Sequence, residues 1–185
     1  MPREVRIVGG RLRRSRIPVA SRPGLRPTPD RVRETLFNWL GQDLTGWSVL
    51  DAFAGTGALG FEACSRGADP VCMIESDGPQ ARQLRATAQR LQVPQVRVER
   101  CDALDWMARA APGQFDLILL DPPFEANLFE SAWRVAIPLL KPGAWLYLEA
   151  PAQWGPQASA VTPQRHLKAG AVHAHLWKFE GNPST

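Results

Sequence analysis

From Val49 onward the chain alternates short apolar runs with longer amphipathic stretches. Val49–Asp51 reads as a buried strand running through a glycine turn into a helix that starts near Gly57 and is capped by Gly67. Val71–Glu75, Val96–Cys101, Phe115–Asp121 and Trp145–Glu149 read as further strands, with helices over Pro79–Leu91, Leu104–Ala111 and Leu128–Leu140 between them. Phe115–Asp121 is nearly all apolar, as a strand covered on both faces must be. Strands alternating with helices imply right-handed crossovers and a parallel, doubly wound sheet. Arg165–Lys168 and Val172–Phe179, joined at Gly170, read as two closing strands, one of which must run antiparallel. Upstream, Glu4–Val8 alternates, Gly9-Gly10 signals a turn and Leu12–Val19 returns, which predicts a hairpin. Ser21–Pro27 is a loop punctuated by proline and glycine. Thr28 stands where an N-cap belongs, with Pro29 at the first helical position and Asp30 in the first turn. Val32, Leu36, Trp39 and Leu40 form that helix's apolar stripe and Gly41 ends it. The fold class is α/β: a Rossmann-like sheet, mostly parallel with an antiparallel C-terminal strand, preceded by an N-terminal β-hairpin and helix. At 185 residues this is one domain, with a basic arm over 1–27, a core over 28–180 and a tail over 181–185.

Charge changes the picture at one end only. The net charge of +4 conceals +7 over residues 1–35, where ten arginines face Glu4, Asp30 and Glu34, and −3 over the remainder. That asymmetry suggests a nucleic-acid-binding arm on a mildly acidic body, a plain solvated face being the alternative. Arg11, Arg13, Arg14 and Arg16 fall on the hairpin, where a ribbon outside the main core can lie along RNA phosphates. Cys64, Cys72 and Cys101 are odd in number and lack paired close spacing, so they read as buried small residues in a reducing cytoplasm. His173 and His175 face one side of a strand with no carboxylate or cysteine at ligand spacing, which assigns them to surface or packing and predicts no metal site. No apolar run reaches membrane-spanning length, and the N-terminus lacks a signal-peptide core.

The chemistry gathers at strand ends, where open α/β sheets bind ligands. Gly55-x-Gly57-x-x-Gly60, with Glu75 twenty positions after Gly55, fits a dinucleotide fingerprint. Asp51 argues against that reading, because a carboxylate beside a pyrophosphate repels it but suits a cationic ligand. S-adenosyl-L-methionine, with an ammonium, a sulfonium and no phosphate, meets the requirement. Glu75 can accept from both ribose hydroxyls and Asp102 from the adenine amino group; helix capping is the alternative for any one of these acids. Thr28 and Asp30 either cap their helix only or also cover the methionine end of the donor. Asp121-Pro122-Pro123-Phe124 follows the fourth strand. Two prolines stiffen the turn and remove its amide donors, leaving the Asp121 carboxylate and the Pro122 carbonyl as acceptors. Two acceptors gripping an exocyclic amine can turn its lone pair toward a methyl donor, and Phe124 can stack on a flipped base.

These motifs together resemble class I S-adenosylmethionine-dependent methyltransferases acting on an amino nitrogen. Arg6–Gly10, Gly24–Thr28, Asp30–Leu40, Asp51–Gly60 and Asp121–Phe124 are similar to the RsmD-type 16S ribosomal RNA guanine-N2 methyltransferases of bacteria, nearly end to end. The resemblance implies cofactor contacts at Asp51, Ala54, Gly55, Gly57, Glu75, Asp102, Ala103 and Thr28. It places the target base against Asp121, Pro122 and Phe124, with Pro123 and the arm arginines on the RNA. It further implies guanine 966 of 16S rRNA as target and a small ribosomal subunit or its assembly intermediate as partner; a cytoplasmic location follows from the cysteine reading, and a monomer is the default expectation. Pro29 departs from the threonine expected there, which bears only on a direct cofactor contact at that position. Amino methylation of adenine in nucleic acid or of a protein glutamine is the near alternative. An NAD-dependent oxidoreductase and a non-catalytic RNA-binding module are the distant ones.

Overall fold

The computed structural model describes residues 3–19, 28–155 and 160–181. The expected loop Ser21–Pro27, including most of the family-like stretch from Gly24, lies outside the described residues, as does most of the tail. Strands β1 (Arg3–Arg6) and β2 (Arg16–Val19) pair antiparallel as a separate two-stranded sheet. Helix α1 (Asp30–Trp39) leads into β3 (Val49–Asp51) and α2 (Ala58–Ser65), then β4 (Val71–Ile74) and α3 (Gly78–Arg90). The second half runs β5 (Val96–Glu99), α4 (Ala103–Arg109), β6 (Phe115–Leu120), α5 (Phe129–Ala136) and β7 (Leu140–Ala150). Strands β8 (Val161–Ala169) and β9 (Val172–Phe179) close the chain.

The seven-stranded sheet has the order β5-β4-β3-β6-β7-β9-β8. Strands β3 to β7 are mutually parallel, and β9 runs antiparallel to both neighbours, as the pattern predicts. The order reverses between β3 and β6, so the carboxyl ends carrying Asp51 and Asp121 lie side by side. One face of the sheet packs on α1, α2, α3 and the hairpin; the other packs on α4 and α5. Leu117 to Leu120 of β6 are fully buried because both layers cover them. On the second face Trp133, Trp154 and Trp177 interlock, with ring centroids 4.8 to 6.1 Å apart.

Four local expectations are corrected. The return strand begins at Arg16, not Leu12, because residues 11–14 form a turn docked on α2. There Ser65 accepts the Arg11 N–H through its carbonyl (2.8 Å) and the Leu12 N–H through its hydroxyl (2.9 Å). A Cβ on Gly10, whose φ is +71°, would lie 2.0 Å from the Ser65 carbonyl oxygen, so only glycine lets the turn approach so closely. The arm is also not outside the core: Val5, Ile7, Ile17 and Val19 are buried against the first face. Finally, Pro29 rather than Thr28 caps α1, accepting the Val32 and Arg33 amides on its carbonyl, and no side chain caps that end. Helix α5 stops early, at Ala136, and passes through a 3₁₀ turn containing Pro138 into a longer β7.

Candidate active site

At the end of β3, Asp51 is 1% exposed and its Oδ2 accepts the Gly60 N–H of α2's first turn at 2.9 Å. That contact needs close approach: a Cβ on Gly60 would fall 2.5 Å from Met73 Cε and 2.9 Å from Asp51 Oδ2. Gly57, at φ +79°, is likewise held by packing, since a Cβ would meet Leu84 and Phe61. Gly60 of the fingerprint thus brings α2 onto the sheet, while Gly57 lets Leu84 of α3 and Phe61 of α2 close on the turn. Burial pushes the Asp51 carboxyl up to about 7, with Glu75 and Glu149 adding repulsion and the Gly60 N–H opposing it.

Glu75, one strand over, accepts the Gly55 N–H on Oε2 (3.0 Å) and the Asp77 N–H on Oε1 (2.8 Å), which fixes its carboxylate against the glycine turn. Gln80 donates to the Gly55 carbonyl at 2.6 Å, while its Oε1 is buried without a hydrogen-bond partner. An orphaned acceptor there is costly unless something else donates to it. Ala54 is buried, its N–H bonded to the Ile74 carbonyl at 2.9 Å. Asp102 is exposed and caps α4 by accepting the Asp105 N–H at 3.0 Å, with buried Ala103 opening the helix behind it. An anionic rim with a buried, unpaired acceptor suits a cation that also carries hydroxyl or amino donors, which fits S-adenosylmethionine.

Asp121 is only partly exposed, and burial, then Glu149 and Asp51, raise its carboxyl well above the carboxylate range, Thr28 opposing. Glu149, at the end of β7, is 2% exposed and accepts the Thr28 hydroxyl at 2.8 Å and the Tyr147 hydroxyl at 2.9 Å. Its own carboxyl is raised by burial, with Thr28, Tyr147 and Arg33 opposing. Asp51, Asp121 and Glu149 thus form a desolvated acid cluster at three neighbouring strand ends, where simultaneous ionisation of all three is disfavoured. Glu149 escaped the sequence reading, although it ends the fifth strand as Asp51, Glu75 and Asp121 end or follow theirs. Pro122 is buried, Pro123 is exposed, and half-buried Phe124 packs on Phe129 at 6.1 Å.

The arm meets this site through one buried ionic knot. Glu62 of α2, fully buried, accepts the Val8 N–H (2.9 Å), the Gly9 N–H (2.8 Å) and the side chains of Arg33 (3.2 Å) and Arg66 (2.9 and 3.1 Å). Arg33, also fully buried, donates onward to the carbonyls of Arg6 and Thr28 and to Asp30. Arg33 is therefore a structural cation rather than an RNA contact. Arg11, Arg13, Arg14 and Arg16 are exposed, but Arg16 pairs with Glu4 at 2.9 Å.

The sheet order and the glycine turn define a Rossmann-like methyltransferase fold. A solved Escherichia coli structure described as a putative methyltransferase aligns with a TM-score of 0.86 and 35% identity, covering 97% of this chain and 99% of that one. The family described as Conserved hypothetical protein 95 matches residues 5–178. Several relatives carry the name Ribosomal RNA small subunit methyltransferase D. That of Haemophilus influenzae is 44% identical over 151 residues, 79% of this chain and 78% of the relative. That of Escherichia coli strain K12 is 42% identical over 147 residues, 80% of this chain and 72% of the relative. The chain belongs to this family of ribosomal RNA small subunit methyltransferases D.

Proposed function

We propose that the protein methylates the exocyclic N2 amine of a guanine in small-subunit ribosomal RNA, using S-adenosylmethionine. The observation that carries the reading is the cluster of Asp51, Asp121 and Glu149 at the switch point, beside the stiff Asp121–Phe124 turn. Asp51, Ala54, Gly55, Gly57, Glu75, Asp102 and Ala103 would line the donor site, with Gln80 Oε1 as a further acceptor. Thr28, bonded to Glu149, would serve that site by holding the acids in place. The bound donor would supply a methyl group made electrophilic by a positively charged sulfur.

The remaining work falls to this chain's residues. The Asp121 carboxylate and the Pro122 carbonyl accept the two amine hydrogens and turn the nitrogen lone pair out of conjugation. On methylation the amine would have to give up a proton. Asp121, whose proton affinity is raised by burial and then by Glu149 and Asp51, would be the acceptor in reach of it. Phe124 and Pro123 offer apolar faces to the flipped base. Arg11, Arg13 and Arg14, exposed on the hairpin turn, would meet backbone phosphates. The family names, both of small-subunit ribosomal RNA methyltransferases, support the substrate class.

The test is methyl transfer from labelled donor to small subunits lacking the modification, to naked RNA and to DNA, followed by nucleoside digestion and mass spectrometry. N2-methylguanosine from the ribosomal RNA is the expected product. N6-methyladenine, or label confined to protein, would replace this reading with the amino methylation of another substrate.

A further inference from the structure

All three histidines of the chain meet on one face of the β8–β9 hairpin. His166 stands opposite His175 in the register, and His173 lies two residues before His175, hence on the same side. One nitrogen from each ring lies within 4.8 Å of the other two. The sequence, with no carboxylate or cysteine at ligand spacing, assigns His173 and His175 to surface or packing; the strand pairing brings His166 beside them as a third imidazole. We propose that this trio is a binding site for a divalent first-row ion that prefers imidazole, Zn²⁺ foremost, with three protein nitrogens and an open fourth position.

The geometry is close to what such an ion needs. His166 Nε2 and His173 Nδ1 lie 3.0 Å apart. Two imidazole nitrogens on one tetrahedral Zn²⁺ stand about 3.3 Å apart, given Zn–N bonds of about 2.0–2.1 Å. His175 is 4% exposed; its Nδ1 faces the Leu148 carbonyl at 3.4 Å, and its Nε2 accepts the Trp154 N–H at 3.1 Å. The carbonyl places its proton on Nδ1, the usual outer partner of a metal-bound histidine, and leaves the Nε2 lone pair for an ion in exchange for one amide bond.

Two features work against the ion. The rings stack, with interplanar angles of 20° to 28°, so exposed His166 must rotate for the lone pairs to converge. Lys168, opposite His173 on the same face, adds a positive charge; it is exposed, so its flexible stem can keep the ammonium in water. Both predict an affinity below that of closed structural zinc sites. His175 and His173 pair with Leu148 and Ala150, so the trio lies across the sheet from the side chains of Tyr147 and Glu149. The site is therefore separate from the acid cluster.

Zn²⁺ alone, titrated by calorimetry into the full chain in a buffer free of phosphate and imidazole, tests this. One equivalent should bind at micromolar concentration, and Zn²⁺ should raise the melting temperature. His166→Asn and His173→Asn alter exposed or half-buried rings and should fold as the parent does, each with affinity at least tenfold weaker. Absence of binding below millimolar Zn²⁺ would overturn the proposal. So would parent-like binding in the double variant, which would place the ion on the thiols or carboxylates.

Discussion

Replacing Glu62 with glutamine should cost the protein a large share of its stability. The carboxylate is fully buried and accepts five hydrogen bonds, two from the hairpin backbone and three from Arg33 and Arg66. Glutamine keeps the shape but removes the charge, and turns an NH₂ group toward donors that already point inward. Among the described residues, Arg33, 0% exposed, would keep Asp30, whose side chain is 59% exposed, as its remaining salt-bridge partner. Removing one partner of a buried pair costs roughly 3–5 kcal/mol. For a domain of this size that lowers the melting temperature by roughly 6–20 °C. Thermal unfolding followed by far-ultraviolet dichroism reads the shift, with Glu4→Gln, which breaks the exposed pair to Arg16, as the control. Exposed pairs contribute up to about 1 kcal/mol, so the control should move by no more than about 4 °C. If Glu62→Gln melts no lower than the control, the knot does not hold the hairpin and α1 to the sheet.

Two further outcomes follow from the site's charges. Asp51 is raised from 3.8 to about 7, so the folded chain keeps a proton that the unfolded chain releases, and its contribution to stability falls as pH rises through that window. A cation bound beside it favours the carboxylate; donor affinity should therefore rise between about pH 6 and 8, with proton release near neutrality. Calorimetric heats independent of the buffer's ionisation enthalpy would refute this. On the arm, Arg13→Ala with Arg14→Ala should weaken RNA binding and flatten the plot of log affinity against log salt by about 1.4 units, at about 0.7 per lost phosphate contact on a single strand. Donor binding should be unchanged, and an unaltered slope would mean these arginines only solvate the turn.

What was legible in the sequence was local. The apolar run of β6, the glycine turn whose Gly60 brings α2 against β3, and the acids at strand ends all declare themselves within a few residues. What was missed depends on contacts between distant segments. Thr28 has the sequence context of a cap, yet its hydroxyl serves Glu149, 121 positions away. Glu62 sits in an ordinary helical stretch, and nothing nearby announces that Arg33 and two hairpin amides converge on it. The hairpin turn was misjudged because its shape is set by Ser65 of another element. Glu149 was within reach, since the rule applied to the other strand ends applies to β7 as well. The third histidine needed the β8–β9 register, which strand periodicity alone does not provide.

The measurement closest to the central claim is single-turnover methyl transfer by Asp121→Ala on small subunits lacking the modification, alongside donor affinity measured on the same preparation. Asp121 is assigned to the amine of the target base, so transfer should fall on the order of 100-fold or more while donor affinity stays within about twofold of the parent's. Near-native transfer by Asp121→Ala, or loss of donor binding in step with loss of transfer, would contradict the account.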